Sequence, residues 1–178
     1  FSSELYGTDT GGTFKGKLDL NKDLCPVVTK ISQSTGVDKF FLLAVLQQES
    51  GGGRNVGTCY MINPADGSGK NTKGQSVPYV MKSDRDVQPF IALMSTLGRP
   101  YATRTVSCPI KDNSARGYYG FGGGMGIAQF IPSTWAQYAP KVKQATGKPV
   151  ADPWDMSTAM HAQGFFFKDL LQRFNGDE

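Results

Sequence analysis

The chain has 178 residues, 39% of them apolar, with 22 glycines and a formal net charge of +4; this is enough for one domain with a real core, threaded by long ordered loops. Its Lys and Arg residues are scattered without a dense basic run, so nucleic-acid binding has little support, and no apolar run approaches the length of a membrane span. The only histidine is His161 and no CxxC pair exists, which argues against a zinc site; no metal or cofactor is expected.

Residues 1–20 are rich in Ser, Thr, Gly and Asp without sustained periodicity and read as a flexible arm or linker. The chain starts at Phe1 with no Met and no signal segment, as a processed form or an excised fragment would, so an upstream signal or anchor is expected to be missing. Asp23 can cap a helix that carries Pro26 in its first turn, has Val27, Val28 and Ile31 on its apolar side and ends near Gly36. Asp38 can cap the next helix, FFLLAVLQQES, which ends at Glu49-Ser50 and runs into Gly51, Gly52 and Gly53. Residues 51–116 read as a loop-rich insertion, with a short hairpin at most before residue 85. Within that stretch Asp86 can cap a third helix, with Pro89 in its first turn and Gly98 after its last. Six glycines fall within residues 117–126; a short helical piece, GIAQF, follows, and then a helix from Pro132-Ser133-Thr134 through Tyr138. Asp155 or Ser157 can start a last helix through Phe174, in which Met160, Phe167, Leu170, Leu171 and Phe174 recur near helical spacing. The expected architecture is mainly α, a single domain over residues 21–178 whose loops shape a groove.

Cys59 and Cys108 flank a segment that looks like an insertion, which favours pairing them; the alternative is two free core thiols. Closing a loop of about 50 residues stabilises a fold by roughly 4 kcal/mol in the chain-entropy treatment and implies an oxidising, extracytoplasmic setting. Cys25 is left over and reads as a small buried residue.

Two segments carry candidate chemistry. Leu42, Val45 and Leu46 precede Glu49 by seven, four and three positions, spacings that share one helical face. Glu49 therefore reads as extending an apolar stripe, where a carboxyl with little water around it favours its protonated form, the state a general acid needs. The bland alternative is a helix-end Glu that reaches solvent. The second segment is GFGGGMGIAQFIPSTW, from Gly120 to Trp135. Its glycines remove side chains where backbone passes close to something, Met125 and Ile127 can anchor it in the core, and Gln129 brings an amide suited to a sugar acetamido group or hydroxyl. The alternative there is a glycine-rich loop with Gln129 capping backbone.

Taken together, an ES pair ending an apolar helix and a downstream GxMGxxQFxPSxW segment resemble the lytic transglycosylases of the lysozyme-like superfamily, and among them the membrane-bound lytic transglycosylase B-like branch. The matching residues are Gly123 or Gly124, Met125, Gly126, Gln129, Phe130, Pro132, Ser133 and Trp135; the segment Asp152-Pro153-Trp154 before an apolar helix is also typical, and the resemblance covers about Asp23 to Phe174. It implies a lysozyme-like catalytic domain with a substrate groove and cleavage of the MurNAc-β-1,4-GlcNAc bond of peptidoglycan, with formation of 1,6-anhydro-MurNAc. Glu49 would act as general acid and then base, in a substrate-assisted scheme that needs no second carboxylate. Ser50 and Gln129 would orient Glu49 or the acetamido group, the Met125-Gly126 backbone would line the site, and Tyr118, Tyr119 and Phe121 would stack on sugar faces or else pack the loop. The implied partner is the peptidoglycan glycan strand, met by a monomer outside the cytoplasm, and the mild positive charge suits an anionic polymer. The chain departs from the family in carrying Phe121, Phe165 and Phe166 where hydroxyl or amide side chains are usual. His161 reads as a surface or core-edge residue.

Two rival readings remain. A lysozyme-type hydrolase would use Glu49 with a second carboxylate, for which Asp66, Asp84, Asp86 and Asp112 are candidates. An inactive peptidoglycan-binding domain would use the groove alone.

Overall fold

Apolar side chains gather into two clusters that meet at the glycine-rich turn. The computed structural model describes residues 23–113, 115 and 117–174; the arm expected over residues 1–20 lies outside them. Five helices dominate: α1 (Cys25–Thr35), α2 (Lys39–Ser50), α3 (Val87–Thr96), α4 (Pro132–Thr146) and α5 (Met156–Phe174). The first cluster joins Val28 and Ile31 of α1 and Leu42, Leu43 and Leu46 of α2 with Ala159 and Met160 of α5. The second joins Met61, Val80, Met81, Phe90, Met94, Val106, Trp135, Tyr138 and Val142. Helix α5 serves both: every residue from Thr158 to Gly164 is buried, and the helix packs on α1 and α4. A Cβ on Gly164 would stand 2.3 Å from Ile31 Cγ2, so the missing side chain is what lets α1 close on α5.

The predicted caps divide by what proline leaves available. Asp38 caps α2, its carboxylate accepting from the Phe40 and Phe41 amides at 2.9 Å each. Asp23 does not cap α1, whose N-cap is Leu24; Pro26 has removed one of the amides a cap would use. Asp86 stands at the N-cap of α3 without capping it, because Pro89 removes the amide of the third helical residue and the carboxylate is engaged elsewhere. It accepts from Arg85 Nε and Nη2 at 2.9 and 2.6 Å and from the Ser133 hydroxyl at 2.7 Å, which ties the start of α4 to the start of α3.

Two predicted elements differ in the structure. Helix α4 runs eight residues past Tyr138, through Pro140 to Thr146. Pro140 and Ala136, whose carbonyl loses its helical donor to the proline, are both exposed residues of α4, and the helix continues past them. GIAQF is a turn closed by the Met125 amide on the Phe130 carbonyl at 3.0 Å; Gly126 at φ 61° and Gln129 at φ 53° adopt left-handed conformations that no helix accepts.

The 51–116 stretch is more structured than the sequence predicts. It holds a three-stranded antiparallel sheet in the order β1 (Cys59–Met61), β2 (Gly69–Asn71), β3 (Ser76–Val77). A second pair sets β4 (Ile110–Lys111) against β5 (Tyr118–Tyr119). Cys59 and Cys108 form a disulfide across 49 residues of sequence, and Cys25 stands outside it. Reduction, or Cys108→Ser, is expected to lower stability by about 2–5 kcal/mol; urea midpoints with and without reductant measure it.

Asp155 opens α5, accepting from the Thr158 amide at 3.0 Å and from Lys148 Nζ at 2.7 Å. Partial burial pushes its carboxyl up, but Lys148 and the Thr158 amide together outweigh that and hold it below its ordinary value. The folded state thus binds this proton less readily than the unfolded one. The resulting stability is present above about pH 4, the ordinary carboxylate value, and is lost as pH falls through the folded-state value. Asp155→Asn should therefore lose less than about 1 kcal/mol at pH 7, and the difference from the wild type should close under acid in urea titrations.

Candidate active site

Helix α2 sends two lines of side chains in different directions. Leu42, Leu46 and Ser50 recur at four-residue spacing and are buried. Phe41, Val45 and Glu49 recur at the same spacing one residue earlier, about a quarter-turn round the helix, and Phe41 and Glu49 are exposed while Val45 is half-buried. The buried stripe therefore continues into Ser50, and the expectation that Glu49 prolongs it is corrected: a hydroxyl is small enough to be enclosed and internally bonded, and the longer carboxylate projects beside the stripe.

What Glu49 projects into is a cavity of about 210 Å³. Val45 and Glu49 form its α2 side, the turn and the start of α4 contribute Ala128, Gln129, Phe130, Ile131 and Thr134, and α5 contributes Gln163, Phe166 and Phe167. Glu49 is the only carboxylate among these lining residues. The rings behind the wall are stacked edge to face: Phe130 meets Phe166 at 5.9 Å and Trp135 at 6.0 Å between centroids, and Phe166 meets Phe167 at 5.2 Å. The surface offered is thus one acid and a few amide and hydroxyl groups over apolar walls.

The turn is set from two sides. Met125 is in the second apolar cluster and Ile127 in the first, as anchoring by both residues predicts. From the 51–116 stretch, Ser107 accepts the Gly124 amide on its hydroxyl at 2.7 Å and the Gly123 amide on its carbonyl at 3.0 Å. A Cβ on Gly122 would lie 2.1 Å from the Ser107 carbonyl oxygen, and one on Gly124 would lie 2.6 Å from Gln129 Oε1. The glycines are there for these close approaches. Gln129, in its left-handed conformation, donates from Nε2 to the Gly126 carbonyl at 2.6 Å, so its amide braces the turn at the cavity edge.

The structure brings Glu49 and Gln129 to one cavity and leaves the other predicted site residues elsewhere. Ser50 is 1% exposed, its hydroxyl donating to the Leu46 carbonyl and accepting the Gly53 amide; it fixes the end of α2 and cannot touch a ligand. Met125 is fully buried and Gly126 is enclosed against Pro153, so these two are the footing of the site and do not form its lining. Tyr118 and Phe121 pack edge-on against Tyr79 and Tyr119 is 72% exposed on β5; none of the three lines the cavity. Asp66, Asp84, Asp86 and Asp112 are also absent from the lining. His161 is buried with Nδ1 2.7 Å from the Ser157 carbonyl oxygen. Sequence reasoning missed Gln163, whose signal was an amide inside an otherwise apolar stretch of α5. Among the described residues no group of His, Cys, Asp and Glu is placed to hold a metal ion.

No protein-family profile and no curated protein matches the sequence. Solved structures do match. An Escherichia coli lytic transglycosylase in complex with bulgecin A is 18% identical with a TM-score of 0.59, over 84% of this chain and 41% of that one. A soluble lytic transglycosylase from Pseudomonas aeruginosa is 19% identical with a TM-score of 0.58, over 84% and 44%. A 36 kDa muramidase/transglycosylase is 18% identical with a TM-score of 0.59, over 84% and 42%. The chain therefore has the mainly α, lysozyme-like fold of the lytic transglycosylases, and it spans less than half the length of each of these proteins.

Proposed function

We propose that this chain is a peptidoglycan lytic transglycosylase, cleaving the MurNAc-β-1,4-GlcNAc bond without water and leaving a 1,6-anhydro-MurNAc end. The observation that carries the reading is a lone carboxylate, Glu49, in an apolar-walled cavity beside the glycine-rich turn, on a fold shared with lytic transglycosylases. Glu49 donates its proton to the glycosidic oxygen as the bond to the anomeric carbon breaks, and the substrate's own acetamido group stabilises the positive centre. The resulting Glu49 carboxylate takes the proton of the C6 hydroxyl, whose oxygen closes on the anomeric carbon. Glu49 is exposed; a bound glycan would shield it from solvent and set the acid against Val45, Phe166 and Phe167. Gln129 holds the turn that faces the acid, and Ser50 keeps the end of α2 in register. The disulfide fits action in an oxidising compartment outside the cytoplasm.

Mass spectrometry of the muropeptides released from purified peptidoglycan tests this. Anhydro ends, lighter by one water than reducing ends, are the expected product. Reducing ends would turn the assignment to a lysozyme-type hydrolase, and binding without release to an inactive glycan-binding domain.

A further inference from the structure

The 51–116 stretch reaches the glycine-rich turn through Ser107. Both neighbours of Ser107 are fastened to one buried residue, Cys59: Val106 by two backbone hydrogen bonds at 3.0 and 2.8 Å, and Cys108 by the disulfide. Behind Ser107 backbone packs on backbone, since a Cβ on Gly57 would stand 2.4 Å from the Ser107 amide nitrogen. From that seat Ser107 holds two successive glycines. Its amide donates to the Gly124 carbonyl at 2.8 Å, its carbonyl accepts the Gly123 amide at 3.0 Å, and its hydroxyl accepts the Gly124 amide at 2.7 Å. Any residue but proline could make the first two bonds; the third needs the hydroxyl. Gly124 is buried, so bulk water does not replace that acceptor.

The held glycine adjoins the cavity wall. A Cβ on Gly124 would lie 2.9 Å from Ser107 Oγ and 2.6 Å from Gln129 Oε1, so the two polar side chains flank the same point of the backbone. One residue on, the Met125 amide closes the turn on the Phe130 carbonyl, and Gln129, Phe130 and Ile131 line the cavity that holds Glu49. Ser107 is not among the lining residues. We infer that Ser107 is a positioning residue: seated by Cys59, its hydroxyl fixes the Gly124 amide and, through it, the placement of Gln129 in the Glu49 cavity. This rests on the glycan-cleavage reading above and gives the 51–116 segment a part in it. The hydroxyl acts on geometry alone, and a displacement of about 1 Å at a reacting centre can cost about 10²-fold in rate.

The test measures muropeptide release from solubilised glycan strands by the wild type, Ser107→Ala, Ser107→Thr, Gln129→Ala and Ser107→Ala/Gln129→Ala, each at a temperature where circular dichroism shows it folded. The backbone bonds of residue 107 to Gly123 and Gly124 remain in every variant, so each is expected to fold. Ser107→Ala is expected to lose about tenfold in kcat, the scale of one unmet buried amide, with KM little changed, and Ser107→Thr, which keeps the hydroxyl, to stay close to wild type. On the Gln129→Ala background the same Ser107→Ala change should cost nothing further, because residues that act through one another are not additive. A merely structural role would lower the folded fraction and leave this cycle additive. Wild-type kcat in Ser107→Ala, a Ser107→Thr as slow as Ser107→Ala, or losses that add in the double variant would overturn the inference while leaving the enzyme reading intact. A wild type that releases no muropeptides would remove both.

Discussion

Glu49→Gln is expected to reduce muropeptide release by about 10²–10⁴-fold, the contribution of a positioned general acid, while leaving the fold's stability within about 0.5 kcal/mol of wild type. The stability half of this expectation follows from position. Glu49 is exposed at the last turn of α2, and the residues that hold that turn are others: Ser50 through Leu46 and Gly53, and Gly51 through its amide on the Gln47 carbonyl at 2.9 Å. An amide of the same shape disturbs none of them. The activity half follows from the lining, which offers no second carboxylate to take over proton transfer. Release rates and melting curves of the two proteins decide it; a variant that keeps more than a tenth of wild-type release would remove Glu49 from the mechanism. Substitution of any of the four loop aspartates proposed for a hydrolase should leave release far less affected than this.

Gly126→Ala is expected to be among the most disruptive single substitutions in the chain, destabilising by about 3–5 kcal/mol. Gly126 has φ +61°, and a Cβ there would stand 1.8 Å from the Pro153 carbonyl oxygen. The neighbour is backbone, so no side-chain rotation relieves the contact. Either Pro153 moves, which shifts the segment leading into α5, or the turn rises and carries Gln129 and Phe130 away from Glu49. Gly147→Ala is the control. It shares a left-handed φ, +66°, but a Cβ there would meet nothing within 4 Å, so conformational strain alone should amount to about 1–2 kcal/mol. Urea unfolding of the two variants separates the contact from the strain. Equal losses would mean that the turn yields freely.

The helices were legible where a local signal sufficed. Asp38 and Asp155 cap as their sequence context predicts because nearby amides are available to them; Asp23 and Asp86 do not, because a proline within the first turn takes one amide away. Glycine after α1, α2 and α4 ends each helix in a left-handed residue. The strands of residues 51–116 escaped notice because each is two or three residues long, too short for a period of two to register; what holds them is pairing with distant segments, such as Cys59 with Val106. At the site, spacing alone placed Glu49 near the α2 face but not on it, since positions 49 and 50 both lie within reach of the same stripe and only packing decides which is enclosed. The roles of Met125 and Gly126 as footing, and of Gln163 as lining, depend on contacts between separate segments, such as Gly126 against Pro153 and Gln163 against Leu42, that neighbouring letters do not encode.

Met125 and Ile127 stand two positions apart yet belong to different bodies of apolar packing. The aperture of the trough is therefore not a property of a loop that could be lengthened or trimmed at will. It is set by how two halves of the molecule seat against each other, so a substitution deep in either half retunes what the opening admits without any change to the groups that face the ligand.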